Sequence, residues 1–177
     1  LNPTPTFELP VHAISTDQLA NEQQDVLYRL GHSSIAMKID QQLILTDPVF
    51  SERASPVQWA GPKRFHQPPI SLQDLPDIDA VLISHDHYDH LDKASIKTLT
   101  DKVDVFLVPL KIGQTLREWN IPEEKIIELN WWESHVHNGI EYVLTPTQHF
   151  SGRGLTDRDG TLSVSYTHLT LPTSHCV

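Results

Sequence analysis

Cysteine is nearly absent. Cys176 is the only one in 177 residues, so no disulfide can form within the chain and the redox compartment is left open. Cationic side chains are also scarce, with 13 Lys+Arg against 23 Asp+Glu and a formal net charge of −10 at pH 7. That balance argues against a nucleic-acid partner held by a broad basic face. Long apolar runs are missing too. Ala80–Ile83 and Val103–Leu110 are strand-sized, far from the roughly 20 residues of a membrane-spanning helix. No charged and apolar leader with a cleavage site is visible, and the first residue is Leu1 rather than Met. Localisation is therefore open, with a soluble or peripheral protein expected. Hydrophobic residues at 38% and charged residues at 20% exclude both a disordered polyelectrolyte and a membrane bundle.

What is abundant is histidine, 11 in all and several of them clustered. The length suits one domain. Residues 1–25 are polar and carry Pro3, Pro5 and Pro10, which reads as an extended lead-in with few buried contacts. Residues 26–30, 35–39 and 43–46 read as strands, the last two joined through Asp40-Gln41-Gln42 as a hairpin. From Asp47-Pro48 to Pro76 there is no clear period, so a long surface loop is expected. Residues 79–84 form a continuous apolar strand of the doubly buried kind. Asp92 is placed to cap a helix over 93–100. A strand at 103–108, a helix at 112–119 and strands at 126–129 and 141–145 complete an α/β layered domain. Residues from about 163 onward show neither strand alternation nor a helix face and resemble a translated linker, so 163–177 is read as a non-native tail.

The chemistry follows the buried strand, in His85-Asp86-His87-Tyr88-Asp89-His90. On extended backbone, side chains two apart point the same way, so His85 and His87 project together. Asp89 and His90 fall where the chain turns into the next helix. Three imidazoles and a carboxylate are donors suited to zinc, manganese or iron. A distant ligand is needed to close such a site, and His149, just beyond the strand at 141–145, is the best candidate. His32, at the strand break after Gly31, can line the same cleft. Lys63 and Arg64, beside Phe65 in the long loop, can meet a phosphate at a membrane surface. Asp86 and Tyr88 face the other way on extended backbone and read as orienting or packing residues. His135 and His137 sit in a polar turn. His12, His66, His168 and His175 carry no argument.

These residues resemble the His-x-His-x-Asp-His signature of the metallo-β-lactamase fold superfamily. The segments 30–34, 45–50, 53–56, 61–65, 131–133 and 146–149 are similar to its N-acyl-phosphatidylethanolamine-hydrolysing phospholipase D branch. The resemblance spans 26–162 and implies a four-layer αββα sandwich (α/β class) of two halves, with roughly the first half present. It implies that His85, His87 and His149 hold one zinc and that Asp89 and His90 hold the second. A hydroxide between the two metals, with Asp89 beside it, would then be the nucleophile. It also implies a later bridging Asp in a Gly-Asp-x-Gly turn and a further late His, which this chain lacks in that arrangement. Asp157 and Asp159 lie too close to His149 to replace them. The chain alone is therefore expected to be poorly stable and weakly active or inactive.

Three functions are consistent with this reading. The first is a zinc-dependent phosphodiesterase of phospholipase D type acting on an N-acylated phospholipid, with peripheral membrane contact. The second is a lactonase or other ester hydrolase acting on a soluble substrate. The third is a non-catalytic metal-binding fragment. No nucleic-acid partner is expected, and no pattern specifies an oligomeric state.

Overall fold

Strand β1 (Val26–Arg29) pairs antiparallel with β2 (Ile35–Ile39), which turns back into β3 (Gln42–Thr46). The turn is tight because Asp40 and Gln41 both take positive φ, 46° and 62°. Two left-handed central residues match the twist of the flanking strands. From β3 onward the sheet is parallel. It runs through β4 (Ile78–Leu82), β5 (Val103–Pro109) and β6 (Ile126–Leu129), giving six strands in chain order. Strands β7 (Ser134–His137), β8 (Ile140–Pro146) and β9 (Val164–Thr170) form a second, antiparallel sheet. The computed structural model describes residues 7–147 and the backbone of residues 164–170.

Parallel strands need cover on both faces, and the side-chain alternation provides it. Leu43, Leu45, Val81, Ile83, Phe106 and Val108 point to one side. They pack there against helix α2 (Lys93–Leu99), through Ile96 and Leu99, and helix α3 (Ile112–Glu118), through Ile112 and Leu116. Ile44, Ala80, Leu82, Val105 and Leu107 point to the other side, against Ile140, Tyr142 and Leu144 of β8. Helices, large sheet and small sheet thus form three layers of the α/β sandwich. Asp92 caps α2 as expected, its carboxylate accepting from the Ala94 N–H at 3.2 Å.

Three expectations are corrected. The lead-in contains a helix, α1 (Thr16–Asn21), whose Leu19 is fully buried in the helix-side core. Ser15 caps it, accepting from the Gln18 N–H at 3.1 Å, the bond expected of a serine N-cap. Leu19 is the only buried residue of the six, which left no apolar period to read. His135 and His137 are not in a turn but on β7, whose partner β8 supplies the pairing. Residues 164–170 run as a strand alongside β8. Backbone pairing to a neighbouring strand does not require side-chain alternation of the added strand.

Between Thr46 and Ile78 no helix or strand forms, only a bridge of Arg53 to Lys63. The loop is nevertheless anchored. Asp92 accepts from the Phe50 and Ser51 N–H groups at 3.2 and 2.9 Å. Arg64 donates to the Ser51 carbonyl at 3.1 Å and the Val49 carbonyl at 2.9 Å. No described helix is long and apolar enough to cross a membrane.

Candidate metal centre

Because β3 and β4 are parallel neighbours, Asp47 and Ser84, each just past its strand, emerge at the same sheet edge. Asp47 is buried with φ 38°, a left-handed backbone that Asp tolerates better than most residues. Its N–H donates to the Leu82 carbonyl at 2.9 Å and its carbonyl accepts from Ser34 Oγ at 2.7 Å. The carboxylate then collects three contacts. Oδ1 accepts from the Ser84 N–H at 2.7 Å, while Oδ2 lies 2.6 Å from Ser84 Oγ and 2.8 Å from His90 Nδ1.

This network decides where two imidazoles carry their protons. A carboxylate only accepts, so His90 donates from Nδ1. Ser84 gives its one hydroxyl proton to Asp47, so its oxygen accepts from His85 Nδ1 at 2.9 Å. Both rings are thereby assigned the Nδ1–H tautomer, with the Nε2 lone pair directed away from Asp47. That leaves Nε2 of each ring able to ligate a metal while the other ring N–H is held by a hydrogen bond.

His85 and His87 do project together, as their spacing demands. His85 Nε2 lies 3.1 Å from His87 Nδ1. Two nitrogens on one tetrahedral zinc, with bonds of about 2.0–2.1 Å, stand roughly 3.3 Å apart, so this pair fits a shared ion. At His87 the chain turns, with its carbonyl accepting from the His90 and Leu91 N–H groups at 3.0 and 2.8 Å. The turn swings Asp89 and His90 back, and the His90 ring centre comes within 3.9 Å of that of His85. Asp89 Oδ2 lies 3.9 Å from His90 Nε2 and 3.3 Å from His32 Nε2. His32, Asp89 and His90 form a second donor group whose ligand atoms all lie within 4.8 Å of one another.

Four of the five expected ligands, His85, His87, Asp89 and His90, are thus brought together. His149, Asp157 and Asp159 lie outside the described residues. The same turn explains a correction at Tyr88. Extended alternation ends at His87, so Tyr88 does not face away but lines a cleft of about 660 Å³ with His87, Asp89 and His32. Asp86 is buried, consistent with packing. Lys63 and Arg64 line the cleft as well, as does His66, which the motif reading set aside. Lys63 forms an ion pair with Glu52 at 2.7 Å, holding that carboxyl below its ordinary range, and burial lowers the Arg64 pKa. His135 and His137 lie on β7, their ring centres 6.4 Å apart, with His137 Nε2 3.9 Å from Asp104 at the start of β5. That is the end of the parallel strands opposite the histidine cluster. Asp47 and Ser84 were missed by motif reading. The available signal was an Asp-Pro pair ending an apolar strand.

The geometry has counterparts among known proteins. Residues 42–168 match the beta-lactamase superfamily domain, and the chain belongs to that family, with the metallo-β-lactamase fold. It is 47% identical over 137 residues to an uncharacterized protein of Mycobacterium tuberculosis, covering 77% of this chain and 37% of the relative. It is 39% identical over 161 residues to N-acyl-phosphatidylethanolamine-hydrolyzing phospholipase D 1 of Caenorhabditis elegans, covering 85% of this chain and 45% of that one. The chain spans less than half the length of these relatives. Among solved structures it resembles CmlA, a diiron beta-hydroxylase from Streptomyces venezuelae, with TM-score 0.54 and 27% identity over 71% of this chain and 24% of that one. The fold is shared with Igni18, a metallo hydrolase from Ignicoccus hospitalis, with TM-score 0.56 and 21% identity over 78% and 52% of the two chains.

Proposed function

We propose that the protein is a metal-dependent hydrolase, a phosphodiesterase of phospholipase D type acting on lipids like N-acyl-phosphatidylethanolamine. The observation that carries the hydrolase reading is the convergence of His85 Nε2 and His87 Nδ1, 3.1 Å apart, beside the Asp89–His90 pair. The phospholipid reading is supported by the likeness to the Caenorhabditis elegans enzyme. Exposed Phe65 beside Lys63, with Trp59 exposed in the same loop, suits a lipid–water interface.

His85, His87 and His149 would hold one ion, and Asp89 and His90 the other. Zinc fits the donor set, and manganese or iron are alternatives. Such ions, when bound, supply an acidified water and positive charge opposite the developing phosphoryl charge. The chain's own residues do the rest. Asp47 and Ser84 keep Nε2 of His85 and His90 deprotonated. His32 flanks the Asp89 carboxylate at 3.3 Å. Tyr88, Phe65 and Lys63 shape the wall against which the substrate lies. Hydrolysis breaks the bond between phosphorus and the ethanolamine oxygen, water adding to phosphorus and the departing oxygen taking a proton.

The test loads the protein with zinc, manganese or iron and measures metal per chain and turnover of N-acyl-phosphatidylethanolamine in mixed micelles. Metal-dependent release of N-acylethanolamine and phosphatidic acid is expected. Turnover of a water-soluble lactone alone would support the ester-hydrolase alternative. Metal uptake with no turnover would leave a metal-binding fragment.

A further inference from the structure

The cleft beside the histidine cluster is lined by three fixed cations, Arg29, Lys63 and Arg64, in a chain of net charge −10. They are not equivalent. Lys63 is matched by Glu52 at 2.7 Å. Arg64 is engaged through Nε and Nη2 by the carbonyls of Ser51 and Val49, which shape the loop. Arg29 is different. It is the exposed last residue of β1, and among the described residues no carboxylate forms an ion pair with it. Its Nε donates to the Gly31 carbonyl at 3.2 Å, which orients the guanidinium plane and leaves the two Nη groups for another acceptor. Gly31 is followed directly by His32, the residue that lies 3.3 Å from Asp89. The backbone link therefore ties the orientation of Arg29 to the rim of the candidate centre.

On the hydrolase reading above, we propose that Arg29 is a specificity-determining residue that binds a phosphoryl oxyanion of the substrate. A guanidinium fork engages two oxygens of a phosphate at once, which a single ammonium cannot do. Among the described residues Arg29 is the cleft cation with neither an ion pair nor a carbonyl on its Nη groups, so an anionic group arriving beside the centre meets it without first displacing such a partner.

The test follows, by NMR, the backbone amide resonances of Gly31 and His32 in the purified protein and its Arg29 variants, together with the Arg29 Nε–H resonance in the unmodified protein, before and after chelation, during titration with three probes. Inorganic phosphate represents a free phosphate, dimethyl phosphate a lipid-headgroup diester, and trimethyl phosphate a neutral control. Arg29→Gln should weaken binding of the anionic probes about tenfold, as expected for loss of one charge-assisted contact. Arg29→Lys should fall between the two, and trimethyl phosphate should be indifferent to all three proteins. Tighter binding of the diester assigns the site to a headgroup, and tighter binding of phosphate assigns it to a free anion. The inference is overturned if Arg29→Gln binds the anionic probes as the unmodified protein does, or if the neutral ester moves the resonances equally. Because the readout is binding at Arg29 and persists after chelation, its failure is distinguishable from an absence of turnover.

Discussion

Asp47 Oδ2 lies 2.8 Å from His90 Nδ1, across 43 residues of sequence. The same oxygen accepts from Ser84 Oγ, which in turn accepts a hydrogen bond from His85 Nδ1. One buried carboxylate thus sets the tautomer of a candidate ligand in each half of the centre. Asp47→Asn tests this without disturbing shape, because Asn also tolerates the left-handed backbone. Its amide N–H would face His90 Nδ1, forcing the ring proton to Nε2 and removing the lone pair a metal needs. Metal affinity, measured by competition with a chromogenic chelator, should fall by about 10–100-fold, the usual effect of losing such a partner. Unchanged affinity would show that Asp47 serves only the fold.

Leu19 should matter more than its place in a Pro-rich lead-in suggests. It is fully buried in the helix-side core, so Leu19→Ala should destabilise by about 2 kcal/mol, the low end of the range for buried leucine because the helix is short and peripheral. Denaturant unfolding measures the change. A variant as stable as the parent would mean that α1 contributes no packing.

His135 on β7 should make stability depend on acid. Burial lowers the His135 pKa from its ordinary 6.5, with His137 a second cause. The folded state therefore binds fewer protons than the unfolded one. Its stability is complete above about pH 6.5, declines as pH falls through that value, and levels off only below the depressed folded pKa. His135→Gln should reduce the loss of melting temperature between about pH 7.5 and pH 5.5. An unchanged pH profile would show that His135 does not carry the acid sensitivity.

Most strands were legible because their chemistry is local. Ile35–Ile39 and Ile126–Leu129 occur where their apolar residues place them, and Asp92 caps α2 through its own side chain. The elements that escaped depend on partners distant in sequence. β7 is stabilised by β8, β9 pairs along β8, and α1 rests on a single residue docked against the core. Tyr88 was misread because alternation holds only while the backbone is extended, and the turn at His87 ends it.

The amino-acid sequence by itself determined the α/β class, the buried strand β4 and the candidate donors His85, His87, Asp89 and His90. Periodicity and residue type act over a few neighbouring positions, and those positions are contiguous. Only the tertiary structure decided that Asp47 governs His85 and His90, that His32 joins Asp89, and that Arg29 shares the cleft with them. Those relationships arise because parallel strands deliver their ends to one edge, and hydrogen-bond geometry over about 3 Å is set there by residues many positions apart.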